Sequence, residues 1–99
     1  LRVTDVFVES LTSTPEENWE TRIQYLELLW EIPGFNRVSV LDVLLEGIGS
    51  DDSGVAMICA QKIVGIDSLP ADAAPALREG LNHEDAAVRL WSSKAYSKM

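Results

Sequence analysis

Cysteine is almost missing from this 99-residue chain. Cys59 stands alone, so no disulfide can close within it, and a reducing, cytoplasmic setting is the expectation. Histidine is as scarce. His83 has no serine or cysteine partner in a recognisable arrangement, which leaves no triad to assemble. No run of ~18 apolar residues is available to span a bilayer, and no charged-then-apolar leader opens the chain. It begins at Leu1 rather than Met, which reads as a piece of a larger parent. Basic residues are few: 8 against 16 acidic, for a formal net charge of −8. Residues 1–33 hold 7 acids and 2 bases, 34–66 hold 4 and 2, and 67–99 hold 5 and 4. Such a field repels phosphate backbones and anionic lipid, so neither nucleic acid nor a membrane is expected as partner. A protein with a basic surface suits it.

What is present is enough for a core. Hydrophobic residues make up 46% and charged residues 24%, near the globular average. The length fits one domain over 1–99, since single domains most often hold ~100–150 residues.

The strongest pattern is a repeat. Leu44-Leu45-Glu46-Gly47-Ile48-Gly49-Ser50-Asp51-Asp52-Ser53-Gly54-Val55 returns in outline as the stretch from Leu77 to Val88. Leu44 pairs with Leu77, Glu46 with Glu79, Gly47 with Gly80, Ile48 with Leu81, Asp52 with Asp85 and Val55 with Val88, always at the same offset. A fixed period of this size marks stacked helical units. The units are expected at about 1–33, 34–66 and 67–99.

Val3, Phe7 and Leu11 recur at steps of four, favouring a helix over 2–11 above the strand that Val6 and Val8 would allow. Thr14-Pro15-Glu16-Glu17 predicts a second helix, with Thr14 as N-cap, Pro15 in its first turn and Glu17 completing a capping box. Trp19, Ile23, Leu26 and Trp30 continue it to the stop at Pro33-Gly34. Its remaining face reads Glu20, Gln24, Glu27, Glu31, an acidic stripe. Further helices are expected over 36–48, 52–65 (capped by Ser50 or Asp51), 72–81 (capped by Asp72) and 84–97 (capped by Asn82 or His83).

The second helices keep the same register. Tyr25, Ile58 and Trp91 align, as do Leu26, Cys59 and Ser92, and Trp30, Ile63 and Tyr96, which predicts one packing face. Arg22 then stands with Val55 and Val88, marking the first pair as atypical, as end units of arrays are.

The run Asp72-Ala73-Ala74-Pro75-Ala76-Leu77, then Leu81-Asn82-His83-Glu84-Asp85, then Val88-Arg89 resembles the short HEAT repeat of the phycobilisome-lyase type, within the armadillo-like superfamily. The likeness covers about 25 residues of the third unit closely, the second in outline and the first by helix order. It implies an all-α fold, an α-α superhelix of about three antiparallel helix pairs, acting as a non-enzymatic protein-binding scaffold without a cofactor. In that family the Arg after Val and the turn Asp often form a ladder from repeat to repeat. Arg89, Asp85 and Asp52 fit that ladder, while Ala56 replaces the Arg in the second unit. Ankyrin and tetratricopeptide signatures are missing.

A solenoid of this kind presents a groove lined by its second helices. Trp19, Glu20, Gln24, Glu27 and Glu31 are the candidate partner-binding residues of the first unit, with Gln61 and Lys62 flanking the equivalent surface of the second. A solvated face explains the stripe equally simply. Val64-Gly65-Ile66-Asp67-Ser68-Leu69 resembles the motif in which a carrier-domain serine takes a phosphopantetheine arm. That serine should open a long helix, yet Pro70 and Pro75 follow. An accessory helical domain appended to an enzyme is a further reading. Metal chemistry finds little here. His83-Glu84 occurs once, where a di-iron site needs repeated pairs, and the acidic turns 51–52 and 84–85 lack calcium-loop spacing.

Overall fold

Two aspartates write the starts of two helices in the C-terminal two thirds of the chain. Asp52 Oδ1 accepts from the backbone N–H groups of Gly54 (2.9 Å) and Val55 (3.4 Å). Asp85 Oδ1 does the same for Ala87 (2.8 Å) and Val88 (3.2 Å). Each satisfies two of the donors that a helix leaves unpaired at its N-terminus. The expected caps, Ser50 or Asp51 and Asn82 or His83, are therefore displaced by the aspartate nearest the helix. Ser50 instead accepts from Asp52 N through its hydroxyl, and Asn82 closes the preceding helix. Exchanging Asp52 or Asp85 for alanine should each lower the unfolding free energy by about 1 kcal/mol, with asparagine retaining most of it. Denaturant titration measures this.

The computed structural model describes residues 2–15 and 18–99. Among them there are six α-helices and no strand. They are α1 (Val3–Ser13), α2 (Trp19–Trp30), α3 (Leu41–Ile48), α4 (Ser53–Val64), α5 (Ala74–Leu81) and α6 (Ala86–Ser97). The fold is all-α. The chain forms two compact units, Leu1–Arg37 and Val38–Met99.

In the first unit α1 packs on α2. Leu11, Leu26 and Leu29 are fully buried. Thr14, expected to open the second helix, ends the first instead. Its hydroxyl donates to Ser10 O at 2.7 Å and its N–H to Leu11 O. A residue before proline is held in extended backbone, which serves a helix end as well as a helix start, and here the hydroxyl turns backwards. Asn18 takes over as cap of α2, accepting from Thr21 N at 3.4 Å. The capping-box role of Glu17 lies outside the described residues. The helix stops at Trp30, and Gly34 follows at φ +76°, a left-handed conformation that favours glycine.

The second unit holds two hairpins. The helix expected over 36–48 divides into a 3-10 turn at Arg37–Val40 and α3. The helix expected over 72–81 divides likewise, into Ala71–Ala73 and α5. Pro75 explains the second division: without an N–H it cannot make the bond to Ala71 that would extend the α-ladder. Asp72 sits within the 3-10 turn, and Ala73, at the cap position, makes no side-chain bond.

Within each hairpin α3 packs on α4 and α5 on α6; between them α3 meets α5 and α4 meets α6. Like helices therefore lie beside like. The helix boundaries keep the period throughout, since 41 and 74, 48 and 81, 53 and 86, and 64 and 97 all differ by 33. Leu44 and Leu77 are fully buried, as are Cys59 and Ser92. Gly80 allows α5 and α6 to approach closely: a Cβ there would lie 2.2 Å from Ser92 Oγ and 3.0 Å from Ile48 Cγ2.

Candidate functional site

The exposed face of α2 is where the sequence places the strongest charge. Glu20, Gln24 and Glu27 are exposed along it, and Glu31 is exposed at its C-terminal cap. Steps of four, three and four keep these side chains on one side of a 3.6-residue turn. Leu28 shares the exposed surface. Trp19 is half-buried, and the Arg22 guanidinium lies 4.9 Å from its ring centroid.

Gln61, on α4, is exposed. Lys62 is not a groove residue, contrary to the sequence reading: it is buried, on the stripe it shares with Val55 and Cys59. That i, i+4, i+7 stripe is buried along α4, and the equivalent Ala95 of α6 is buried too. A lysine's long aliphatic stem can occupy such a place while its ammonium reaches a polar group.

The loops before the second helices are held by cations. Arg22, itself buried, donates through Nε and Nη2 to Thr14 O at 3.3 and 3.1 Å. Arg89 donates through Nη1 to His83 O and Glu84 O at 2.7 and 2.9 Å. The caps show that these arginines are equivalent. Asn18, Asp52 and Asp85 each accept from the N–H three positions on, so these three are the matching residues of α2, α4 and α6. The step from Asn18 to Asp52 is one longer than the step from Asp52 to Asp85. Arg22 thus falls beside Ala56 and Arg89, not beside Val55 and Val88. The arginine that Ala56 replaces on α4 is present on α2.

His83 does more than occupy a solvated turn. Its Nδ1 accepts from Asp85 N at 3.1 Å, which leaves the proton on Nε2, 3.3 Å from Ser50 O. The bond joins two turns 33 residues apart. Lys98 makes a second tie, its ammonium donating to Val64 O and, at 2.8 Å, to Ile66 O. Neither tie has a sequence signal beyond the period itself.

No family model matches this chain, and no curated protein or solved structure matches it. Its own side chains carry the reading. Among the described residues no group of three or more His, Cys, Asp and Glu could hold a metal ion. None of the described helices is long and apolar enough to cross a membrane. Cys59 is fully buried, as its core assignment requires. Ser68 is exposed in a bend and is followed by the short turn Ala71–Ala73, not by the long helix that a carrier serine heads. Trp30 and Trp91, expected on the packing face of the second helices, are half-buried. Arg37 lies 5.0 Å from the Trp30 ring centroid and Lys94 4.5 Å from that of Trp91. Tyr96, expected on a packing face with Trp30 and Ile63, is exposed, whereas Ile63 is fully buried. The exposed face of α2 offers the carboxylates of Glu20, Glu27 and Glu31 and the amide of Gln24.

Proposed function

We propose that the chain is a HEAT-like, armadillo-type helical-repeat module that binds another protein and performs no chemistry itself. What supports the reading is the stacking of α3–α4 on α5–α6 with like helices adjacent and a constant offset between their boundaries. Stacked hairpins bury their matched faces and leave the outer sides of the second helices free for a partner. The partner surface is basic. Glu20, Glu27 and Glu31 supply the charge on α2, with Gln24 as a neutral hydrogen-bonding group and Trp19 as an aromatic edge. Gln61, on α4 of the other compact unit, is an exposed amide and a separate candidate contact. Lys62 plays no part, because it is inside.

The test is a charge reversal, Glu20→Lys with Glu27→Lys and Glu31→Lys, in the full chain. Substitutions at exposed positions usually change stability by less than about 0.5 kcal/mol, so the thermal midpoint should stay close to that of the parent. Affinity for a partner captured from cell extract, and crosslinked to α2, should fall by about ten-fold or more at moderate salt. Unchanged affinity of the triple variant would remove the acidic face from the interface.

A further inference from the structure

The two second helices of the second unit share a side that stays open to solvent. Met57, Gln61 and Val64 follow one another at steps of four and three on α4, as Leu90, Lys94 and Ser97 do on α6. Met57 and Gln61 stand two residues either side of the fully buried Cys59, and Leu90 and Lys94 stand likewise around Ser92. Two residues are more than half a helical turn, so both stripes point away from the core. Gln61, Leu90, Lys94 and Ser97 are exposed, and Met57 and Val64 are half-buried. α4 keeps this side open although α6 is packed beside it. A neighbouring hairpin therefore leaves it open.

The chemistry of this side is unlike that of the rest of the chain. Sixteen of the 99 residues are acidic, yet α4 and α6, of 12 residues each, contain no Asp or Glu. The nearest carboxylates, Asp52 and Asp85, are caps, each turned onto two backbone N–H groups. What the open side offers instead is apolar. Leu90, 55% exposed, is the most exposed large hydrophobic residue of the second unit. Met57 and Val64 extend the strip across α4, and half-buried Trp91 has the Lys94 ammonium 4.5 Å from its ring centroid. Lys98 is turned onto the carbonyls at the end of α4, which leaves Lys94 to face a ligand.

An apolar strip edged by an ammonium and free of carboxylates is complementary to a segment that carries both apolar residues and carboxylates. A basic segment would gain the apolar contact but set like charge against Lys94 with nothing to offset it. An anionic membrane asks for a cluster of about 4–8 cations, which this side does not have. We infer that the open side of α4 and α6 docks an acidic amphipathic helix, its apolar face on Leu90 and Met57 and its carboxylates toward Lys94. Laying an amphipathic helix on an apolar strip between two helices is an established mode of recognition. The surface prefers the opposite charge to α2. One chain can thus hold a basic partner on its first unit and an acidic one on its second.

Two synthetic helices of about 16 residues serve as probes. One is built of Leu, Glu and Ala with the leucines on one face, and the other has Lys in place of every Glu. Titrated into the isotope-labelled full chain, the Glu peptide should shift the NMR signals of Gln61, Leu90 and Lys94. A net charge of −8 by itself favours the Lys peptide everywhere, so a Glu peptide that settles on α4 and α6 does so for local reasons. Lys94→Glu should weaken its docking about ten-fold, and Leu90→Ser about as much. Both positions are exposed, so neither change should disturb the fold. Shifts confined to other residues, or a Lys94→Glu variant that binds the Glu peptide unchanged, would overturn the inference and leave the acidic face of α2 untouched. If instead the same signals move with the concentration of the peptide-free chain, the occupant is a second copy, and the inference is equally overturned. The Lys peptide reads the other proposal, through the signals of Glu20, Gln24 and Glu27, so the two surfaces fail separately.

Discussion

Replacing Gly80 with alanine should lower the unfolding free energy of the second unit by about 1 kcal/mol, although alanine is the better helix former. The added methyl would meet Ser92 Oγ at 2.2 Å, Ser92 Cβ at 2.8 Å and Ile48 Cγ2 at 3.0 Å. Overpacking of this kind costs about 1–3 kcal/mol, and the helix gains back only roughly 0.5–1 kcal/mol from losing a glycine. Steric cost wins here because two of the three obstacles belong to one short side chain on a neighbouring helix, with no flexible end to swing away. A thermal midpoint about 5 °C lower is the expected reading for a domain of this size. The partner in the clash supplies the control. Ser92→Gly removes both close atoms, so the double variant should recover most of the loss, leaving only the Ile48 methyl to yield by a few tenths of an ångström. Ser92→Ala in the parent should be neutral or stabilising by roughly 1 kcal/mol, since its buried hydroxyl has no hydrogen-bond partner. If Gly80→Ala and Ser92→Gly prove additive, the close approach of α5 and α6 is not what glycine serves at this position.

That approach is legible in part from sequence. The repeat period places Gly80 with Gly47 and Leu77 with Leu44, and a period is a statement about equivalent environments, so the hairpin order and the shared core positions follow from it. The helix starts follow less well. Several short polar residues sit within three positions of each start, and any of them can cap; which one wins depends on where the preceding turn releases the chain. Thr14 shows the same degeneracy at a helix end, and carrying the constant period back to α2 shifts Arg22 out of its true register by one position. Only the hydrogen bonds of Asn18, Asp52 and Asp85 reveal that Arg22 and Arg89 do the same work. Lys62 and Tyr96 mislead for opposite reasons. A lysine at a core position looks polar in sequence, whereas its stem fills space as an apolar residue does. A tyrosine at the position of a buried isoleucine looks like core, but burial there requires a neighbour on the far side. The acidic stripe of α2 is visible because spacing alone puts its members on one exposed face; its use depends on another molecule, about which helical spacing says nothing.

Leu77→Ala should give the other large effect, and its distribution along the chain matters more than its size. The side chain is fully buried on α5, and deleting such a leucine costs about 2–5 kcal/mol from lost apolar contact and the cavity left behind. Total stabilities of small domains are of order 5–15 kcal/mol, so this one change removes a substantial share. Stacked hairpins are held by nearest neighbours, which lets an outer pair open while the rest stays folded. Native-state hydrogen exchange should therefore show the protection of α5 and α6 falling by about 3 kcal/mol, with α3 and α4 affected less and α1 and α2, in the other compact unit, scarcely at all. The two cross-hairpin ties, His83 to Ser50 and Lys98 to the end of α4, should open in the same step, because both are anchored on the departing pair. A uniform loss of protection across all six helices would mean that the chain unfolds as one block. In that case the stacked hairpins would be parts of a single indivisible core, and the repeat reading could not be assigned hairpin by hairpin.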